Sequence, residues 1–401
     1  MAAYMVAPPT EAEASAILLA THDLGPASHG ALLRTFGSAL ATFDAARGRG
    51  AARVLGQIRA EDGTSPALMP GVPERIVEEL DRFDERLTVL RGADVRIVTV
   101  DDPAYPSRLR RIELPPPLLF ARGTLDALHA AHVVAVVGTR RPSEHGRALA
   151  TRIAAMIAAA GATVVSGLAL GIDGASHAAA VHDSAPTVAV LGSGHRHLVP
   201  TAHARLAAGI LATGGAVISE FWPDEHPATW TFPRRNRVIS GLADATIVVE
   251  AGDKSGALIT AKHALEQGRE LFLVPGRLGD PQSAGCLLWL RDYAGAARIV
   301  AGLPELVEDL GLLGTPVPAR RTNRPSLEAV LLELGPTARR VGTALAMGHG
   351  SLDELVHVTR FEPATVLGAI TLLELRGLAI STFGRYRAAG QLASAPVVAN
   401  P

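Results

Sequence analysis

Between residues 132 and 274, short β-branched runs alternate with Ala/Leu-rich segments of helical length, a pattern few folds accommodate. The candidate strands are His132–Val137, Thr163–Val165, Thr187–Leu191, Ala216–Ser219, Ala245–Glu250 and Glu270–Val274. These runs are apolar without interruption, so both faces of each strand must be covered. Between the first two, Leu149, Ile153, Met156 and Ile157 stand at i, i+4, i+7 and i+8, one face of a helix. Covered strands alternating with amphipathic helices specify an α/β fold, an extended Rossmann-like, doubly wound parallel sheet. Ahead of it, Val95, Ile97 and Val98–Val100 suggest a further strand, followed by Tyr105-Pro106, Pro115-Pro116-Pro117 and Leu118–Phe120.

The 401 residues exceed one compact core at ~100–200 residues per domain. Residues 1–90 read as a small helical domain. Leu24-Gly25-Pro26, then Leu32, Leu33, Phe36 and Gly37-Ser38, suggests two short helices joined by a glycine hairpin. Such hairpins can aim backbone N–H groups at phosphates, but 8 basic against 12 acidic residues favour a packing module here. The sheet domain spans 91–313. Residues 314–325, Pro/Arg-rich and without periodicity, form a linker. Residues 326–390 read as a winged-helix domain: a helix near Leu327–Leu334, a second opened by Ser351 with Glu354 at capping-box spacing, a third over Pro363–Arg376, and a hairpin turning at Gly384.

Single-cysteine composition excludes several chemistries. Cys286 is the only cysteine, so there is no internal disulfide and no multi-cysteine metal site; flanked by Leu287-Leu288, it reads as a buried hydrophobe. The N-terminus has no basic region followed by an apolar core, and the most apolar run, Ile153 to Val165, is too short to span a bilayer. A cytoplasmic protein with no membrane partner is expected. With 38 basic and 39 acidic residues the chain as a whole is not a polyanion binder; only residues 314–401 are net basic, 9 against 6.

Ligands of doubly wound sheets sit beyond the carboxyl ends of the strands. Those ends are Gly138-Thr139-Arg140, Ser166-Gly167, Gly192-Ser193-Gly194 and Glu250-Ala251. No G-x-G-x-x-G fingerprint follows the first strand, Ser166 stands where a ribose-binding acid is needed, and no P-loop motif occurs. What remains suits phosphates without a hydrolytic motor. Gly138 permits close backbone approach, Thr139 offers a hydroxyl and Arg140 a guanidinium fork. Lys254-Ser255-Gly256 precedes a helix at Ala257 and sets a cation and a hydroxyl at its positive end.

Segment 220–240 is the most distinctive. The chain has 9 Phe, 3 Trp and 4 Tyr, yet Phe221, Trp222, Trp230 and Phe232 crowd together, followed by Arg234, Arg235, Asn236 and Arg237. Aromatic faces beside guanidinium groups are what single-stranded nucleic acid requires. Burial against the sheet is expected for Phe221 and extends to both tryptophans, but not to Phe232. Asp173 and His177, at i and i+4, lack a third metal ligand; Asp173 is read as a helix cap and His177 as its satisfied neighbour. His195, His197 and His203 read as solvent-exposed. No metal site and no catalytic set are expected.

These residues resemble the bacterial DNA-processing protein A family (DprA, also called Smf). The resemblance runs through Val137–Arg140, Ser166–Asp173 with His177, Ser219-Glu220, Phe232–Leu242, Val249–Ala251, Ser255–Ala261 and Val274–Gly276, covering roughly residues 94–300. It implies a non-enzymatic protein of natural transformation that protects incoming single-stranded DNA, loads the RecA recombinase onto it, forms a homodimer and uses no cofactor. By similarity, Arg140, Phe232, Arg235, Arg237 and Lys254 line the DNA pocket, with Gly138, Thr139, Ser166, Gly167, Asn236, Ser255 and Gly256 beside them. The surplus apolar surface of Leu287, Trp289, Leu290 and Tyr293 marks the dimer interface. Two alternatives stand against this reading. One is a nucleotide-processing enzyme like the phosphoribohydrolases, which needs a P-G-G-x-G-T turn. The other is a ligand-sensing winged-helix repressor, which needs a dinucleotide fingerprint and a basic recognition helix.

Overall fold

Nine strands form one sheet: β1 (Arg96–Thr99), β2 (Leu118–Gly123), β3 (Val133–Val137), β4 (Thr163–Ser166), β5 (Thr187–Val190), β6 (Ala216–Ser219), β7 (Ala245–Val248), β8 (Glu270–Leu273) and β9 (Ala297–Ile299). Their order is β1-β2-β6-β5-β4-β3-β7-β8-β9. The computed structural model describes residues 7–312, 331–382, 385–389 and 392. The linker expected over 314–325 and most of the helix expected near Leu327–Leu334 lie outside the described residues.

The seven strands β3 to β9 pair in parallel, as the alternation predicts. Their unbroken apolar character has a direct cause. Val133, Ala135 and Val137 of β3 enter one core with Val238, Ile239 and Leu242 of helix Thr231–Leu242. Val134 and Val136 enter the opposite core with Ile153 and Ile157 of helix Glu144–Ala159. Side chains that alternate between two covered faces must all be apolar. β1 and β2 differ: β2 runs antiparallel to both β1 and β6. The connection from β1 to β2 holds only the short helix Ser107–Arg110, and antiparallel neighbours, unlike most parallel ones, need no crossover helix.

The sheet's chain order reverses at β3, with β4, β5 and β6 laid out on one side and β7, β8 and β9 on the other. A crevice therefore opens beyond the carboxyl ends of β3 and β7.

The chain divides into two compact units, Met1–Ala319 and Arg320–Pro401. In the first, the N-terminal helices share a core with the sheet: Ile17, Leu32, Phe43 and Ile76 cluster with Leu118 and Phe120 of β2 and with Trp222. Helices Pro26–Phe36 and Ala39–Ala46 are joined by Gly37, at φ +85°, and Ser38. The Glu11 carboxylate accepts the amides of Ala39 and Leu40. Those N–H groups already face an anion, in keeping with a packing role.

The second unit packs helices Gly335–Ala346, Leu352–Thr359 and Pro363–Leu375 around Val341, Leu355, Val366 and Leu373. An antiparallel ribbon of β10 (Ala379–Thr382) and β11 (Arg385–Ala388) follows. Ser351 and Glu354 form the capping box their spacing predicts: each side chain accepts the other's backbone N–H, at 3.1 and 3.0 Å.

Candidate functional site

The crevice is a cleft of about 690 Å³, within the range of ligand sites. Gly138, Thr139 and Arg140 leave β3 to form one wall; Lys254, Ser255 and Gly256 form another ahead of helix Ala257–Glu266; Phe232, Arg235 and Asn236 of helix Thr231–Leu242 supply a third. Backbone bonds join these walls. The Thr139 N–H donates to the Glu250 carbonyl at 2.7 Å, and the Ile172 N–H donates to the Thr139 carbonyl at 3.2 Å. Gly171 stands at φ +88°, and a Cβ there would lie 2.3 Å from the Thr139 carbonyl oxygen, so no other residue fits.

Arg140 and Lys254 are exposed at this cleft, and neither has an ion-pair partner among the described residues. The Arg140 guanidinium carbon lies 5.2 Å from the Phe232 ring centroid, a cation–π arrangement. Lys254 stands just ahead of the positive end of helix Ala257–Glu266, and Ser255 Oγ accepts the Ala257 N–H at 3.3 Å. Field and side chain both favour an anion there. Phe232 is half-buried against Gly192, where a Cβ would approach its ring to 2.7 Å. The Thr231 hydroxyl donates to the Gly192 carbonyl at 2.6 Å and holds the start of that helix in place.

Arg235 belongs to the floor. Its guanidinium is buried and donates to the carbonyls of Val190 and of Gly167, the latter at 2.7 Å. Burial pushes it down to about 10, against the opposing charge of Asp173. Asp173 accepts the amides of Gly167 and Ala169 at 3.1 and 3.4 Å, and burial raises its carboxyl above the usual range despite the Arg235 charge. Asn236 donates to the Gly256 carbonyl at 3.1 Å and accepts from Arg235 Nε at 3.2 Å, tying two walls together. The Glu250 carboxylate accepts the Ser143 amide and hydroxyl, both at 2.8 Å, which engages it at the start of helix Glu144–Ala159.

Nine of the twelve residues singled out in the sequence thus line the cleft: Gly138, Thr139, Arg140, Phe232, Arg235, Asn236, Lys254, Ser255 and Gly256. Three do not. Ser166 is buried, its hydroxyl donating to the Val136 carbonyl at 2.6 Å, and Gly167 serves Arg235 and Asp173. Arg237 turns away to Glu220 and the Leu114 carbonyl. Helix geometry explains this. Phe232, Arg235 and Asn236 stand at i, i+3 and i+4 on one face, and Arg237 falls off it. Pro281 and Gln282, beyond the carboxyl end of β8, also line the cleft; the strand-end rule could have found them, but no motif marks them.

Some other expectations are corrected and others hold. His195 is buried, not exposed: its Nε2 lies 3.0 Å from the Phe120 carbonyl, and burial pushes it down to about 4. His203 is half-buried with Nδ1 2.9 Å from the Leu168 carbonyl. His197 lies 3.0 Å from Asp224 and stacks on His226 at 3.7 Å. Asp173 organises the loop before its helix instead of capping that helix. His177 is buried beside Thr187 Oγ1 at 2.9 Å. Phe221 and Trp222 are buried, whereas Trp230 is 52% exposed. Cys286 is buried, which pushes its thiol up to about 12. On helix Ala284–Asp292, Leu287, Trp289 and Leu290 are half-buried, and Tyr293, just past its end, is 41% exposed. Among the described residues no cluster of three or more His, Cys, Asp or Glu side chains could hold a metal ion. No helix among them is long and apolar enough to cross a membrane.

The chain is thus a Rossmann-like α/β protein, with two cations, a helix N-terminus and an aromatic ring converging at the switch point of its doubly wound sheet. The profile of the family described as DNA recombination-mediator protein A matches residues 96–311, more than half of the chain, and the chain belongs to that family. It is 37% identical over 256 residues to DNA processing protein DprA of Bacillus subtilis, covering 62% of this chain and 85% of that protein. It is 42% identical over 228 residues to Protein Smf of Escherichia coli, covering 57% of this chain but only 60% of the relative. The X-ray structure of DNA processing protein A (DprA) from Streptococcus pneumoniae matches it with a TM-score of 0.61 at 29% identity, over 75% of this chain and 98% of that one.

Proposed function

We propose that this chain binds single-stranded DNA in the switch-point cleft, without catalytic turnover and without a cofactor. The observation that carries the reading is Arg140 set over the Phe232 ring, with Lys254 in the same cleft and no carboxylate paired to either cation among the described residues. Phosphate needs free cations and a base needs an aromatic face; this cleft offers both. Asp173, a buried carboxyl in its lining, is held by two backbone amides, which supports binding over acid–base chemistry. Gly138, Thr139, Ser255 and Gly256 would contribute close backbone approach and hydroxyls; Arg235 and Asn236 would shape the floor.

The cellular role proposed with it is protection of incoming DNA in natural transformation and loading of RecA onto it, in the cytoplasm; membership of the DNA recombination-mediator family supports that role. A homodimer built on helix Ala284–Asp292 fits this role. The proposed organisation is a helical module over 1–90, the Rossmann-like domain over 91–313, a linker over 314–325 and a winged-helix module over 326–390. The boundary between the two compact units, at Ala319, supports that linker. A gel shift comparing single-stranded with duplex DNA, without nucleotide, tests the reading. Strong retention of the single strand alone is expected; equal retention of both, or of neither, would overturn it.

A further inference from the structure

Asp173 opens helix Ile172–His182, yet its carboxylate reaches back to accept the amides of Gly167 and Ala169. The turn over residues 167–171 that it holds is strained and fixed from several sides. Leu168 stands at φ +56°, a left-handed backbone that is unfavourable for a residue with a Cβ. Its side chain is fully buried with Ala189, Leu191 and Ile210, and His203 Nδ1 lies 2.9 Å from its carbonyl oxygen. The Gly167 carbonyl accepts from Arg235 at 2.7 Å, and Gly171 ends the turn at φ +88°. Strain of this kind persists only where its surroundings over-determine it, and it clusters at ligand sites.

What this turn touches is the backbone of Arg140. A Cβ at Gly171 would lie 2.8 Å from the Arg140 carbonyl carbon and 2.9 Å from its Cα, and a Cβ at Gly138 would lie 2.5 Å from Ile172 Cγ1. The Ile172 N–H donates to the Thr139 carbonyl at 3.2 Å, while the Thr139 N–H is held by the Glu250 carbonyl at 2.7 Å. The Arg140 guanidinium makes no ion pair among the described residues, so this backbone and the Phe232 ring set its aim.

We propose that Asp173 is a positioning residue for Arg140: by holding the turn over 167–171, it fixes the backbone from which that cation meets phosphate. The proposal rests on the single-stranded DNA reading above. Asp173 lines the cleft but is 5% exposed, and a carboxylate repels phosphate, so its contribution to binding runs through the turn.

The test uses the full chain and a roughly 12-nucleotide oligothymidylate, with affinity read across a salt series below the melting temperature. Asp173→Ala should reproduce the Arg140→Ala defect, with weaker binding and a salt slope lower by about 0.7. The two defects should not add: in an Arg140→Ala background, Asp173→Ala should change affinity by less than about twofold. Combined with Lys254→Ala, it should weaken binding by the product of the two single factors. Asp173→Asn, whose amide oxygen can accept the same two N–H groups, should regain most of the lost affinity and slope. A lower melting temperature with a wild-type slope makes Asp173 a stability residue alone and overturns the proposal, as do additive defects of Asp173→Ala and Arg140→Ala. If Asp173→Ala fails to fold, Gly171→Ala decides: its Cβ displaces the Arg140 backbone and should cost the same slope, and a wild-type slope there overturns the proposal. If Arg140→Ala itself binds like the wild type, the cleft reading fails and takes this proposal with it.

Discussion

Arg140, Arg235 and Arg237 are the same chemical group in three different roles, and burial separates them. Arg140 is solvent-facing over an aromatic ring, Arg235 is enclosed against two carbonyls, and Arg237 is bound to Glu220. Single substitutions should therefore diverge. Arg140→Ala and Lys254→Ala are expected to weaken single-stranded DNA of every sequence alike and to lower the salt slope by about 0.7 each, with the melting temperature unchanged; fluorescence anisotropy across a salt series reads both. Arg235→Ala instead strips two buried carbonyls of their donor and leaves Asp173 without a neighbouring cation. It should cost about 3 kcal/mol of stability, and Arg235→Lys should not restore it, because an ammonium lacks the planar fork. Denaturant midpoints decide this, and a normally stable Arg235→Ala chain that fails to bind DNA would move Arg235 back into the contact surface. The sequence made all three arginines equivalent candidates. Only helix phase distinguishes Arg237, and only the depth of the floor distinguishes Arg235; motif spacing carries no depth. The histidine expectation failed for the same reason. His195 follows a glycine turn that reads as surface, yet it reaches back to the Phe120 carbonyl on another strand.

Helices with too much or too little polarity carry the element-scale consequences. Helix Ala284–Asp292 buries Gly285 and Cys286, packs Trp289 and Leu290 against the main core, and leaves Leu288 39% and Tyr293 41% exposed. The stacked Trp289 and Tyr293 rings, 4.5 Å apart, sit beside the open edge strand β9. The proposed interface predicts that the wild type sediments as a dimer at micromolar concentration and that a chain carrying Leu288→Asp and Tyr293→Ser sediments as a monomer; a monomeric wild type would refute the interface. Helix Pro363–Leu375 has the opposite deficiency for a duplex reader. Ala364, Thr365, Leu367, Gly368, Thr371, Leu372 and Leu375 are exposed along it, without one cation, and Arg376 just beyond it reaches toward Glu333 at 3.5 Å. Base edges in a major groove call for Arg, Lys, Asn or Gln. Selection from random duplex DNA with the full chain should accordingly return no consensus, and a consensus lost on mutating Thr365 and Thr371 would restore a sequence-reading role. The parallel part of the sheet was legible because apolar runs of strand length leave no other reading. The antiparallel pairing of β2 was not, since direction is set by the connection and not by the strand's own residues. β9 was missed because three residues carry no periodicity.

At the scale of the whole chain, a fold that encloses neutral imidazoles becomes sensitive to mild acid. His29 is buried beside Ser15 Oγ at 2.8 Å, and burial pushes it down to about 4, as it does His195; His177 is pushed down to about 3. An unfolded histidine titrates near 6.5. Below that pH the unfolded chain takes up protons that the folded chain refuses, so stability present above about 6.5 drains away as pH falls toward 4. Two carboxyls act in the opposite direction. Burial raises Asp173 and Glu220, so their contribution grows as pH falls and partly masks the histidines in the wild type alone. A paired comparison removes that masking, because both carboxyls are present in each chain. Carrying His29→Gln and His195→Gln together keeps a hydrogen-bonding side chain at each site and deletes the titration. Between pH 6.5 and 4.5 the wild type should lose about 2 kcal/mol per histidine relative to this variant, in denaturant unfolding followed at several pH values. Both histidines lie within Met1–Ala319: His29 bonds Ser15 between two helices of the N-terminal layer, and His195 ties the loop after β5 to β2. The difference should therefore appear in the unfolding transition of the first unit and leave that of Arg320–Pro401 unchanged. Parallel pH curves for wild type and variant would show that these imidazoles are protonated in the folded protein and that their burial is looser than the structure places it.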